Sequence, residues 1–197
     1  MQRTSEEKTE LFERTPIRQA ALTLIVPTVI SQLVMLVYNM ADTWFIGQTG
    51  DPHQVAAVTV TYPIFMMMNA LANLFGIGGS SLISRMLGSG EQEKTGAVAA
   101  FSLWAAGGVT LIYSIVCLLF DGALLTVLGT DAGTFGYAKD YLFWTVIVGG
   151  LPTVLNLVLA NLIRAQGEAR TASIGMSIGG ILNVFLDPVF IFLLGMG

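Results

Sequence analysis

Four stretches of this chain, residues 19–41, 53–84, 95–120 and 141–163, contain no Lys, Arg, Asp or Glu, and a fifth, 171–186, continues past Asp187 to Leu194. About 20 apolar residues suffice to cross the hydrocarbon core of a bilayer. In lipid a backbone must satisfy its own hydrogen bonds, and uninterrupted runs of this length do so as helices rather than barrel strands. The expected fold is therefore all-α: a polytopic membrane bundle of five transmembrane helices. Their expected bounds are about 16–46, 53–87, 92–120, 134–165 and 168–195, after an N-terminal extension over 1–14.

Composition agrees. Apolar residues make up 54% of the chain and charged residues 11%, whereas water-facing domains carry roughly 25% charged residues. The net charge of -4 and nine dispersed basic residues exclude nucleic acid as a partner, because nothing concentrates positive potential on one face. Cys117, the only cysteine, lies in an apolar run and reads as a packing residue. His53 stands alone in the loop Gly50-Asp51-Pro52-His53, without the further ligands that zinc needs.

The connections set the topology. With the N-terminus inside, the inner segments hold Arg3, Lys8, Arg14, Arg18, Arg85, Lys94, Arg164 and Arg170, and the outer ones only Lys139. This bias predicts N-in and C-out, since cytoplasmic loops retain Lys and Arg. The extension 1–14 is then cytoplasmic. It lacks a basic n-region and a small-residue cleavage site, so no removed signal peptide is expected. Thr15-Pro16 reads as a helix start. Gly88-Ser89-Gly90 and Gln166-Gly167-Glu168 read as tight turns. Leu124, Leu125, Val127 and Leu128 fit a short interfacial helix on the outer side.

The polar residues inside the apolar runs carry the functional expectations. Asp187 lies about 24 Å along its helix from Thr171, within a core about 30 Å thick. An ionised Asp near the centre costs roughly 2.5–3.5 kcal/mol on insertion scales, so it should face a cavity or carry a proton. Asn183, one turn earlier, shares its face. Pro188 frees a carbonyl in the preceding turn. Asp42 ends the first run near the outer headgroups, where a surface residue and a cavity residue are equally good readings. Pro27 and Pro152 should bend their helices, as hinges or as static kinks. Met66-Met67-Met68, Met35, Met40, Tyr62 and Phe65 could line an adaptable apolar pocket or simply pack. Gln32, Asn69, Asn73, Asn156 and Asn161 fit a polar path or interhelical hydrogen bonds. Gly175 with Gly179, and Gly76-Ile77-Gly78-Gly79-Ser80-Ser81, are small-residue faces expected to pack helices closely.

The motifs Pro27-Thr28-Val29-Ile30-Ser31-Gln32, Asn39-Met40-Ala41-Asp42-Thr43-Trp44-Phe45-Ile46-Gly47, Arg164-Ala165-Gln166-Gly167 and Leu182-Asn183-Val184-Phe185-Leu186-Asp187-Pro188 resemble the multidrug and toxic compound extrusion (MATE) transporters, in their bacterial multidrug-efflux branch. The resemblance covers nearly the whole chain from about Leu11. It implies a multi-pass protein of the bacterial inner membrane, an antiporter rather than an enzyme, which exports organic cations or drugs in exchange for H+ or Na+. No cofactor is implied beyond that coupling ion. Carried over by residue, Asp42, Asn183 and Asp187 match the cation or proton site, the only place where a metal ion (Na+) is expected. Pro27 matches the helix bend, and Pro152 is a second candidate hinge. Gln32, Tyr38, Asn39, Tyr62, Met66, Asn69, Asn73 and Asn156 are candidates for a substrate path. The family has twelve helices in two six-helix lobes, so the partners implied are the bilayer, the drug, and a missing second lobe or another copy. A flippase for lipid-linked or polysaccharide precursors and a membrane module without transport are the alternatives. An intramembrane protease is disfavoured, because the chain has neither Gly-x-Gly-Asp nor His-Glu-x-x-His.

Overall fold

The structure, a computed structural model, describes residues 16–48 and 50–188; at Ala20, Asp42, Thr43, Ile46, Asn183, Leu186, Asp187 and Pro188 it describes the backbone alone. The expected Thr15 cap, the extension 1–14 and the helical continuation to 195 lie outside the described residues.

Every described regular element is helical: α1 (Ile17–Gly47), α2 (Pro52–Gly88), a 3-10 turn (Gln92–Lys94), α3 (Thr95–Leu119), α4 (Asp121–Val127), α5 (Phe135–Leu142), a π-helical segment (Phe143–Val148), α6 (Gly150–Ala165) and α7 (Ala169–Pro188). Three helices are long and apolar enough to cross a membrane: Ile17–Ala41, Pro52–Gly88 and Gln92–Leu119. Counted together as one span, the bent pair Phe135–Val148 and Gly150–Ala165 is a fourth candidate. The fifth predicted span, α7, is not among them over its 20 described residues. It opens on Arg170-Thr171-Ala172-Ser173 and is rich in Gly and Ser, and the apolar 189–195 falls outside the described residues.

The core is the packing of α2 against α3 and α6. On α2 the buried residues are Ala57, Thr61, Ile64, Met68, Ala72, Gly76, Gly79 and Ile83, a stripe spaced by three and four residues that defines one helix face. Two register marks fix α3 as antiparallel to α2. The Tyr113 hydroxyl donates to the Ile64 carbonyl at 2.7 Å, and Gly79 lies against Ser102. α6 runs parallel to α2, because Gly150 sits on Met68, Gly76 on Val158 and Asn161, and Gly79 on Leu162. Buried hydroxyls return to the backbone: Thr61 to the Ala57 carbonyl at 2.8 Å and Thr110 to the Ala106 carbonyl at 2.7 Å. This satisfies each polar group within its own helix, as an apolar surrounding demands. The opposite surface is apolar. Phe101, Trp104 and Leu119 on α3 are 70%, 80% and 70% exposed, a surface suited to lipid rather than water.

The expected single helix over 134–165 is instead α5, the π segment and α6, bent by 48° at Gly149. Pro152 has no N–H for the Val148 carbonyl. Upstream, the Gly149 N–H reaches back five residues to the Trp144 carbonyl at 2.9 Å, the pattern of a π turn. Ser114 on α3 donates to the Val146 carbonyl at 2.9 Å and pins the irregular segment to the core. The short helix expected after Asp121 is α4. Pro27, by contrast, lies inside an unbroken α1, as does Pro63, which the sequence reading did not single out, inside α2.

Both predicted inner turns are present, with Gly90 at φ 79° and Gly167 at φ 81°, a left-handed conformation that favours glycine. At the other end, Asp51 caps α2 by accepting the His53 N–H at 2.9 Å. The His53 ring lies flat on Gly133, with Nδ1 3.2 Å from the Thr134 hydroxyl. Thr134 donates its N–H to Asp131 at 2.7 Å. Hydrogen bonds from the Thr134 side chain and backbone, with His53 nearby, hold the Asp131 carboxyl below its ordinary range. Lys139 and Asp121 pair at 3.1 Å across the same connection.

The small-residue faces divide. A methyl group on Gly76 would lie 2.8 Å from Asn161 Nδ2 and 3.4 Å from Val158 Cα, whereas one on Gly175 or Gly179 meets nothing within 4 Å. The expectation of close packing therefore holds for the Gly76 run and is corrected for Gly175 and Gly179. Gly76→Leu should destabilise the bundle by about 1–3 kcal/mol through overpacking. Gly175→Ala should stay within about 0.5 kcal/mol of the parent. Unfolding in mixed detergent micelles, followed by circular dichroism, checks both.

Candidate cation site at the seam of the first and last helices

The residues expected to bind the coupling cation sit on α1 and α7, and these two helices pack along much of their length. Their relative direction follows from the turns. As successive apolar crossings joined by a short connection, α1 and α2 run in opposite senses, α6 is parallel to α2, and residues 166–168 reverse the chain again before α7. α1 and α7 therefore run parallel.

Gly180 sets the register. A methyl group there would lie 3.3 Å from Met35 Sδ, 3.7 Å from Val34 Cγ1 and 3.8 Å from Tyr38 Cβ. Moving seven residues along each parallel helix, about 10.5 Å at 1.5 Å per residue, brings Asp187 level with 41–45, an interval that contains Asp42. Moving three residues brings Asn183 level with 37–41, which contains Tyr38 and Asn39. On α1, Ser31 is fully buried, with its hydroxyl donating to the Thr28 carbonyl at 2.9 Å. Ser31, Met35, Tyr38 and Asp42 are spaced by four, three and four. On α7, Ser173, Met176, Gly180, Asn183 and Asp187 are spaced by three, four, three and four. Each acid thus occupies the position that continues its helix's packing stripe. For Asp42, Asn183 and Asp187 the placement is of backbone, since their side chains lie outside the described atoms.

Before that level the seam opens into an apolar groove of ≈390 Å3 that reaches about three turns back along α1 and about two along α7, walled by Ile30, Leu33, Val34 and Val37 of α1 and by Gly180, Ile181, Val184 and Phe185 of α7. Its walls offer no hydrogen bond.

The proposed path residues do not converge on one wall. Tyr62, Met66, Asn69 and Asn73 follow one strip of α2, next to its buried face; Tyr62 and Met66 are exposed, and Asn69 donates to the Phe65 carbonyl at 3.0 Å. Gln32 and Asn39 are exposed on α1, Tyr38 is half-buried at the seam, and Asn156 is exposed on α6. Asn161 packs on Gly76 of α2, but the hydrogen bond it accepts from Arg164 at 3.4 Å stays within α6. Sequence reasoning missed Gly180 and Ser31. Gly180 is distinguishable from Gly179 only by which face of α7 meets α1.

The family model of MatE matches residues 27–189. The multidrug export protein MepA of Staphylococcus aureus (strain NCTC 8325 / PS 47) is 32% identical over 188 residues, covering 95% of this chain and 41% of its own length. MepA of Staphylococcus haemolyticus is 32% identical over 187 residues, with the same two coverages. The chain thus spans about two fifths of these curated relatives. Among solved structures, a multidrug resistance MATE family transporter of the MOP superfamily, in an outward-facing conformation, superposes with a TM-score of 0.90 at 31% identity, over 100% of this chain and 43% of that one. A MOP superfamily transporter from Pyrococcus furiosus does so with a TM-score of 0.90 at 31% identity, over 100% and 42%.

Gly180→Leu, which places a branched chain against Met35 and Tyr38, should part α1 from α7 while leaving the α2–α3–α6 core folded. The measurement is cysteine accessibility along α1. Labelling at position 34 should rise several-fold in the variant, and labelling at buried position 106 on α3 should not change.

Proposed function

Because the chain belongs to the MatE family, we propose that it forms one helical lobe of a cation-coupled multidrug exporter in the bacterial plasma membrane, with α7 as its fifth crossing, the N-terminus inside and the C-terminus outside. Its substrates are organic cations and drugs, exchanged for external H+ or Na+. A second lobe or another copy supplies the opposite wall of the transport cleft, against which this lobe rocks.

What supports the reading is the contact of Gly180 with Val34, Met35 and Tyr38, a register that on parallel helices brings Asp187 level with Asp42 and Asn183 to about one turn before them. Two carboxylates and an amide within about one helical turn offer oxygen ligands suited to Na+, or a pair of sites that can share a proton. In the cation-free state, like charges in a poorly hydrated seam repel and favour an open, wet cavity. Neutralisation by H+ or Na+ removes that cost and lets the seam close. Coupling is then a difference in cation affinity between the open and closed arrangements, which is what an antiporter requires. Pro152, beside the observed bend, and Pro27, inside the unbroken α1, serve as hinges about which α6 and α1 adjust. The substrate is drawn to the same acidic region, so cation and drug compete. An acidic, cation-binding seam favours the exporter over a precursor flippase, whose anionic cargo it would repel.

In the complete transporter, Asp42→Asn and Asp187→Asn should each abolish drug resistance while membrane expression persists. Cells expressing each variant should show the drug sensitivity of the empty-vector strain. Undiminished export by both variants contradicts the coupling site.

A further inference from the structure

On α7, Ala169, Ala172 and Met176 are spaced by three and four residues, and positions 180, 183 and 187 continue the series by four, three and four. One helix face therefore carries all six positions. Ala169 and Ala172 are buried, and Gly180 rests against Met35, Val34 and Tyr38 of α1. Met176, between these two contacts, is held from α6. Arg164, in the last turn of α6, donates from Nη2 to Met176 Sδ at 2.7 Å and from Nη1 to Asn161 Oδ1 at 3.4 Å. Asn161 in turn lies against α2, where a methyl group on Gly76 would come 2.8 Å from its Nδ2. A run of contacts thus leads from α2 through Asn161, Arg164 and Met176 and, one helical turn further along α7, through Gly180 to α1.

The Arg164 contact is directional in a way that the small-residue contacts are not. The guanidinium is a planar fork with fixed donor directions. With Nη1 committed to Asn161 on its own helix, Nη2 meets Met176 at one setting of α7 only. Turning α7 by a single residue, about 100°, would carry the sulfur to another face. Gly175 and Gly179 give no such grip, since a methyl group on either meets nothing within 4 Å. We propose that Arg164 is a positioning residue: by holding Met176 it fixes the rotation of α7 about its own axis and keeps the face with positions 180, 183 and 187 turned to α1. The functional consequence rests on the coupling-site reading above, whereas the clasp between α6 and α7 does not.

The test separates the two. In the full chain in membranes, carrying Cys117→Ser, maleimide labelling of Ala172→Cys reads the clasp, because position 172 is buried one turn before Met176. Labelling should rise about three- to tenfold in Arg164→Gln and in Met176→Leu, as the loss of one hydrogen bond predicts. Labelling of Ala106→Cys on α3 should stay at the parental level, which shows that the core remains folded. Met176→Gln, whose amide oxygen is a stronger acceptor at similar reach, should restore protection at 172. In the complete transporter, the concentration of external H+ or Na+ that gives half-maximal drug efflux should rise about three- to tenfold in Arg164→Gln and Met176→Leu, with the maximal rate held within about twofold. Parental labelling at 172 in both variants overturns the proposal. Failure of Met176→Gln to restore protection does so too, by assigning the effect to packing, and so does raised labelling with an unchanged cation dependence. Should Asp42→Asn and Asp187→Asn export normally, the coupling site fails and the labelling at 172 still decides the clasp.

Discussion

The absence of a side chain at Gly180 decides how closely α1 approaches α7. With nothing but a hydrogen there, Met35, Val34 and Tyr38 of α1 rest against the α7 backbone, and the two helices lock into a single register. Membrane helices gain little from the hydrophobic effect on associating, so van der Waals contact at small residues has to supply the attraction. The same principle organises the other half of the bundle, where Gly76 and Gly79 bring α2 onto α6 and α3. The lobe therefore has two glycine-mediated contacts, one holding the core and one holding the seam that carries the acids.

The two contacts differ in kind. The α2–α3–α6 core is tied by hydroxyl-to-backbone bonds across helices, from Tyr113 to Ile64 and from Ser114 to Val146, and it encloses fully buried Met68, Ile83, Leu142 and Val158. The α1–α7 seam, by contrast, carries an apolar groove walled by both helices.

Much of this was legible in the residues. Uncharged runs locate the helices because lipid leaves the backbone no alternative. Gly90 and Gly167 mark the turns because a left-handed residue closes them, and the spacing of Asn183 and Asp187 gives their common face. What the chain does not display is which helices neighbour which. Gly175 and Gly179 fit a packing motif yet face open space, while Gly180, one residue on, meets α1; only the tertiary arrangement distinguishes them. The break at 143–149 was read as a kink at Pro152. The proline accounts for the lost bond at Val148, but the π turn itself depends on Ser114 holding Val146, a contact between residues 32 apart. Arg164 reads as a topology marker, and its contacts with Met176 and Asn161 emerge only in the folded bundle.

The central claim is that α1 and α7 are parallel neighbours with Asp42 and Asp187 at one level. Cysteine cross-linking in a Cys117→Ser background measures this directly. With a short flexible bismaleimide, the pair at 42 and 187 and the pair at 39 and 183 should link efficiently in membranes, and the pair at 42 and 171, several turns out of register, should not. Efficient linking at 42 and 171 with none at 42 and 187 would mean that the helices run in the opposite sense, and the acids would then have no common site.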